Sequence, residues 1–210
     1  MKFGVERSNR SMAANLLGVL CRGEDMENAQ ILRLDKTGYP IEWLTAQDAC
    51  SLLVNEKVVW AFGENATVLK GGFNRDGLQS ELEIPAIIAT HGRAKIIADV
   101  PPLSNRMLFR RDRHMCLYCG NTFKANELTR DHIIPQSKGG RSTWKNLVAC
   151  CKSCNNAKRD RTPEEAGMPL LAVPFVPSRH EYLYLSNHYI LADQMQMLKS
   201  GIRKDLIRAA

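Results

Sequence analysis

A mixed α+β chain in successive units is what this sequence predicts, and three observations predict it. Short apolar runs of strand length alternate with one helical stretch before residue 100, Pro101-Pro102 breaks the pattern, and two Cys-x-x-Cys pairs, Cys116/Cys119 and Cys151/Cys154, frame the segment that follows. The expected order is a small N-terminal α+β domain, a zinc-stapled β-β-α unit and a C-terminal helix. The divisions fall at an arm (residues 1–28), an accessory domain (29–103), the cysteine-framed unit (104–168), and a Pro-spaced linker with an amphipathic helix (169–210). A length of 210 residues suits one or two domains with a real core.

Taking the elements in order, Met1–Arg10 is basic and Leu16–Cys21 apolar. That apolar run is short for a secretory signal, and Cys21-Arg22-Gly23-Glu24-Asp25 is a poor cleavage context, so the stretch reads as a cytoplasmic arm or short helix. Gln30–Leu34 and Ile41–Leu44 read as strands around a turn at Asp35–Pro40. Thr45 then caps a helix to about Glu56, with Asp48 returning the bond and Ala49, Cys50, Leu52 and Leu53 facing a core. Lys57–Phe62 and Ala66–Leu69 are expected strands, with Gly71-Gly72 turning the chain. Pro85–Thr90 and Lys95–Val100 suggest a hairpin around His91. Nothing catalytic is patterned here.

Past the break, Met107–Phe109 reads as a helical turn among Arg106, Arg110, Arg111 and Arg113, cations suited to backbone phosphates. Leu128–Ile134 is a strand ending at Pro135, Gln136–Thr143 a loop made flexible by Gly139-Gly140, and Trp144–Cys150 contains a second strand. A helix follows from Lys152 to about Arg161, limited by Pro163 and Gly167. Pro169, Pro174 and Pro177 space an extended crossing. Tyr182, Leu185, Tyr189, Ala192, Met195, Leu198 and Ile202 then keep helical spacing, predicting an amphipathic helix that packs on its own domain, with homodimerisation the competing expectation. His180 and His188 on this segment read as structural.

Two Cys-x-x-Cys knuckles supply four thiolates, the closed set of a structural zinc site. Cys150 lacks the x-x spacing to Cys154 that Cys151 has, and with Cys21 and Cys50 it is left over. Seven cysteines with three unpaired favour a reducing, cytoplasmic setting over a disulfide framework. No apolar run approaches the roughly 18–20 residues of a membrane span. The net charge of +7 is concentrated: residues 106–161 hold 13 Lys/Arg against 4 Asp/Glu. A basic module on a near-neutral body is the footprint of polyanion binding.

Between and after the knuckles stand Asp131-His132, Gly139-Gly140, Asn146, Asn155 and Lys158. The runs Arg111-Asp112-Arg113-His114-Met115-Cys116-Leu117-Tyr118-Cys119-Gly120, Thr129-Arg130-Asp131-His132 and Cys151-Lys152-Ser153-Cys154-Asn155 resemble the HNH endonucleases of the four-cysteine, zinc-bound type. The likeness covers about a quarter of the chain, and residues 29–100 more loosely resemble the domain that often precedes this module in bacterial and phage members. The resemblance implies a ββα-metal (His-Me finger) fold, magnesium-type catalysis and a DNA substrate cut to leave a 5′-phosphate and a 3′-hydroxyl. It implies that His132 is the general base, that Asn146 orients it through a side-chain–backbone bond across the loop, and that Asn155 takes the third named position, where many members carry histidine.

Elementary chemistry agrees with these roles. A neutral imidazole takes a proton from water near pH 7. Asp131 and Asn155 offer hard oxygens suited to Mg²⁺ or Mn²⁺, which keeps several waters and takes further oxygens from substrate. Lys158, one turn beyond Asn155, and Arg130 and Lys138 are expected phosphate contacts. Neighbouring strand residues point to opposite faces, so Asp131 and His132 share a site only where the strand ends. A non-catalytic, zinc-stabilised DNA-binding module is the competing reading. An RNA-directed enzyme would need stacking aromatics, and Tyr118, Phe123 and Trp144 read instead as core.

Overall fold

The computed structural model describes residues 30–91 and 100–207. The arm, including Leu16–Cys21, and residues 95–99 of the expected second hairpin strand lie outside them.

Strands β1 (Ile31–Asp35) and β2 (Pro40–Leu44) pair antiparallel. Their turn is closed by Asp35, whose Oδ1 accepts the Thr37 and Tyr39 N–H groups at 2.8 and 2.9 Å, while Gly38 takes φ +91°. Helix α1 (Ala46–Val54) starts where predicted: Thr45 Oγ1 accepts the Asp48 N–H at 3.2 Å. The return bond differs in donor, because the Asp48 carboxylate accepts from the Thr45 hydroxyl at 2.8 Å.

The two strands expected between 57 and 69 are one. β3 runs unbroken from Val58 to Phe73, passing Gly71-Gly72 without turning. Register shifts between Phe62 and Thr67 absorb its irregularity, with Gly63 at φ +89°. The chain reverses at Asn74–Gly77, where Asn74 Oδ1 accepts the Asp76 and Leu78 N–H groups and Gly77 supplies φ +74°. β4 (Gln79–Thr90) returns antiparallel to β3 and parallel to β1, so Pro85–Thr90 belongs to this pairing. The sheet order is β2-β1-β4-β3.

Helix α2 (Asn105–Arg111), capped by the Ser104 hydroxyl, leads to a two-stranded unit. β5 (Leu128–His132) pairs antiparallel with β6 (Leu147–Cys151), followed by α3 (Lys152–Lys158) and α4 (Pro163–Ala166). The helix predicted to Arg161 stops at Lys158 because Arg159 turns to φ 53°, and a Thr162–Glu165 capping box starts α4. The C-terminal helix is likewise divided into α5 (Arg179–Ser186), α6 (Ala192–Lys199) and α7 (Lys204–Ile207). Asn187 is extended, and its side chain accepts the Tyr189 N–H, so the periodicity continues across a break in the backbone.

One buried apolar cluster runs from Ile31 and Ile87 in the sheet through Met107–Phe109 and Leu147 to Leu198 and Leu206. The C-terminal stripe is therefore used inside the chain. Trp43 donates to Leu183 O at 3.0 Å, and buried Gln194 donates to Gln30 O and Ala86 O at 2.8 and 2.9 Å. The packing expectation holds, and the homodimer it competed with finds no support. No helix among the described residues is long and apolar enough to cross a membrane.

Arg111, expected to touch phosphates, is corrected. It is 2% exposed and spends all five N–H donors internally, on both Asp112 oxygens, Trp144 O, Phe175 O and Leu147 O. Trp144 and Phe175 flank its guanidinium, each ring centroid 5.6 Å away. Arg111→Met strands a buried Asp112 carboxylate, and a loss of about 3–5 kcal/mol in urea-unfolding free energy is expected.

Glu181 is buried against Arg203. Burial pushes its carboxyl up, but the Arg203 bond and the N–H groups of Ser178 and Arg203 hold it below the ordinary 4.5. Its contribution is full above the unfolded value and lost as pH falls through the folded one. A plot of Tm against pH should therefore be steeper below about pH 4.5 for the wild type than for Glu181→Gln.

Candidate active site and metal centre

The four paired cysteines converge: the Sγ atoms of Cys116, Cys119, Cys151 and Cys154 all lie within 4.8 Å of one another. A tetrahedral ion with Zn–S bonds of about 2.3 Å needs sulfurs roughly 3.8 Å apart, so the set fits zinc after small rotations. Cys151 also caps α3, its sulfur accepting the Cys154 N–H at 3.5 Å. Burial pushes the Cys116 thiol up, but N–H donation from Cys151, Cys119 and Tyr118 outweighs it, leaving the thiol near 7, lower than the ordinary 9.0. Burial raises Cys150, which turns its sulfur to Cys151 O and stands outside the cluster. Among the described residues no cysteine is in a disulfide.

β5 and β6 place the polar constellation between the knuckles. Thr129 and Asp131, two residues apart, face α3, whose Asn155 and Lys158 meet them in turn. Asn155 Nδ2 donates to Thr129 Oγ1 at 2.9 Å, which leaves its carbonyl oxygen as the acceptor end. Lys158 Nζ lies 3.1 and 3.3 Å from the Asp131 carboxylate oxygens and donates to His132 O at 2.8 Å. Tyr118, from inside the first knuckle, donates its hydroxyl to Asp131 Oδ2 at 2.6 Å. Burial and the Asp131 charge both raise the Tyr118 phenol, so it stays a donor.

His132 is the last residue of β5, and its Nε2 lies 3.0 Å from Ser142 Oγ. Burial lowers the imidazole below 6.5, Arg130 and Lys158 lower it further, and Asp131 opposes them. The net shift favours the neutral ring at physiological pH. Asn146 clamps the residues just beyond. Its Oδ1 accepts the Ile134 N–H at 2.9 Å, its Nδ2 donates to Ile134 O and Arg141 O, and its backbone O accepts the Ile133 N–H.

The double glycine is not a flexible joint. Gly139 takes φ +86° to close the 3₁₀ turn at Gln136–Lys138, and a Cβ on Gly140 would stand 1.8 Å from Ile134 O. Gly140 is required for this close approach.

The expected phosphate contacts divide. Arg130 is exposed beside the site, and Arg113 is exposed but bonds Asp205 O. Lys138 pairs with Glu165, and Arg110 is half-buried against Leu185 O, Ser186 O and His188. Lys158 is corrected outright: at 0% exposure, its ammonium faces Asp131 and not solvent. Sequence reasoning missed Tyr118, Ser142 and Thr129. Their signals were a phenol inside a knuckle, where a buried O–H must find a partner, and period-two spacing from Asp131.

Residues 116–171 match the family model described as HNH endonuclease. A 64-residue stretch is 39% identical to the CRISPR-associated endonuclease Cas9 of Actinomyces naeslundii, and a 50-residue stretch is 38% identical to that of Corynebacterium diphtheriae. These alignments cover 28% and 23% of this chain but 6% and 5% of the relatives, so the chain spans a small fraction of their length. The crystal structure of the Type II-C Cas9 enzyme from Actinomyces naeslundii aligns at 23% identity over 47% of this chain and 12% of that one. Its TM-score is 0.26, too distant to define a shared overall fold. The matches to the family and to the two relatives support a nuclease.

If the four thiolates are the ligand set, Cys150→Ala should retain one zinc per chain and Cys151→Ser should lose it, as read by elemental analysis of the purified proteins.

Proposed function

We propose that this chain is a metal-dependent DNA endonuclease that hydrolyses phosphodiester bonds. One observation supports the reading: β5 ends on Asp131-His132, Asn155 of α3 bonds Thr129 two residues before Asp131, and Asn146 holds the loop just beyond His132, in a β-β-α unit with the four-cysteine cluster at its entrance and exit. Residues 104–168 are the proposed chemical unit, and 29–103 and 169–210 its support.

A divalent Mg²⁺ or Mn²⁺ held by Asp131 and Asn155 would supply charge neutralisation at the phosphate and leaving oxygen. The donor set fits: one carboxylate fixed by two neighbours and one amide carbonyl left open by the Thr129 bond. His132 takes the proton from the attacking water. His132 Nε2 and Ser142 Oγ share a hydrogen bond at 3.0 Å; in the tautomer with Nε2 as its donor, Nδ1 is the basic nitrogen. Asn146 fixes the backbone beyond His132 and with it the direction of the ring. Arg130 remains a proposed phosphate contact, being exposed next to Asp131. Free thiols at Cys50 and Cys150 support a reducing, cytoplasmic setting.

The Lys158–Asp131 pair favours the second reading, a non-catalytic DNA-binding module, because it already neutralises the carboxylate. Plasmid cleavage separates the two. Zinc-loaded wild type should nick or linearise supercoiled DNA with Mg²⁺ or Mn²⁺, and His132→Ala should cut about 10²–10⁴-fold more slowly with zinc retained. DNA binding without cleavage by the wild type would select the binding module.

A further inference from the structure

Tyr118 is placed by the zinc knuckle and ends on the carboxylate of the proposed catalytic site. Its hydroxyl donates to Asp131 Oδ2 at 2.6 Å, the shorter of the two contacts that hold this side chain, against 3.1 Å for Lys158. Both are closest at Oδ2, so Oδ1, at 3.3 Å from Lys158, is the less engaged oxygen. The knuckle fixes the backbone on either side of the phenol. Leu117 N donates to Ala149 O at 3.0 Å, Cys116 N to Asn121 O and Gly120 N to Cys116 O, each at 2.9 Å. Ala149 is the β6 partner of Arg130, so the anchor lies beside the strand that carries Asp131.

We propose that Tyr118 is a positioning residue: it holds Asp131 in the rotamer that presents Oδ1 to the catalytic metal, and couples the four-cysteine site to that metal's affinity. The proposal rests on the endonuclease reading above. Tyr118 touches neither substrate nor metal in this role. Removing its donor frees the carboxylate to rotate towards Lys158, so ion binding must pay the ordering cost again. Partners of ligating carboxylates typically carry about 10–100-fold in metal affinity. A tyrosine that merely fills space beside the knuckle would change stability and not metal affinity.

The test is a Mn²⁺ titration of zinc-loaded wild type and Tyr118→Phe, read by the electron paramagnetic resonance of free Mn²⁺, beside plasmid cleavage at increasing Mg²⁺. Half-saturation should rise about 10-fold or more in Tyr118→Phe, with zinc content unchanged and cleavage recovered at saturating metal. Tyr118→4-aminophenylalanine, which restores an N–H donor at the same ring position, should return half-saturation towards wild type, separating the lost bond from any loss of packing. Equal half-saturation in wild type and Tyr118→Phe would overturn the assignment while leaving the nuclease intact. A zinc-loaded wild type that binds no Mn²⁺ and cuts nothing would overturn the endonuclease reading itself, and this proposal with it.

Discussion

The Arg111 guanidinium is the interaction on which the arrangement depends. Its five donors join four parts of the chain: Asp112 at the end of α2, Trp144 in the loop, Leu147 at the start of β6, and Phe175 in the tail. Asp112 extends the join by accepting the Ala149 N–H at 2.7 Å, on the edge of β6 that β5 does not cover. Leu117 N satisfies Ala149 O on the same edge. A two-stranded sheet in water is marginal, and its open edge invites wrong pairing. Here the edge is closed by a side chain and a knuckle. Lysine would not serve, because a compact ammonium has three donors and no planar fork.

The site built on that hairpin is held by local closure more than by bulk. β5 and β6 have five residues each, and α3 seven. The four paired cysteines bring the two ends together, Asn146 staples the loop to Ile134, and Gly140 lets the two backbones approach. Lys158 with Asp131 is a buried ion pair, and such pairs are poor sources of net stability because desolvation offsets most of the attraction. The pair fixes where the Asp131 carboxylate stands more than it adds folding energy.

Much of this was readable from residue spacing alone. The x-x separation named the four converging cysteines, Thr45 announced α1, and strand–loop–strand–helix order survived with small shifts of boundary. What could not be read was which cations leave water. Arg110, Arg111 and Arg113 look alike in sequence, yet one is buried, one half-buried and one exposed. Desolvation depends on the acceptors that tertiary structure brings to each, and only the adjacent Asp112 hinted at Arg111's fate. The β3 error has a different cause. Gly71-Gly72 carries the strongest local turn signal, but cross-strand pairing with β4 overrides it, and the turn forms at the Asn74 side-chain acceptor instead.

The same sorting of cations changes how the basic charge bears on the proposed activity. A local excess counted along the sequence treats every lysine and arginine as available to a phosphate. In the fold, Arg111 and Lys158 are consumed inside, Arg161 donates to Lys158 O and Ala157 O at the end of α3, and Lys138 meets Glu165. Arg130, Arg141, Lys145, Lys152 and Arg159 remain exposed on β5, the loop before β6, and α3 and its end. These surround the constellation in sequence and belong to the same β-β-α unit. The two buried cations are matched by Asp112 and Asp131, which the count of +9 already includes, so the excess stands and is carried by the exposed cations. One charge pattern is divided in two: part of it builds the scaffold around Asp112 and Asp131, and the rest is exposed to solvent.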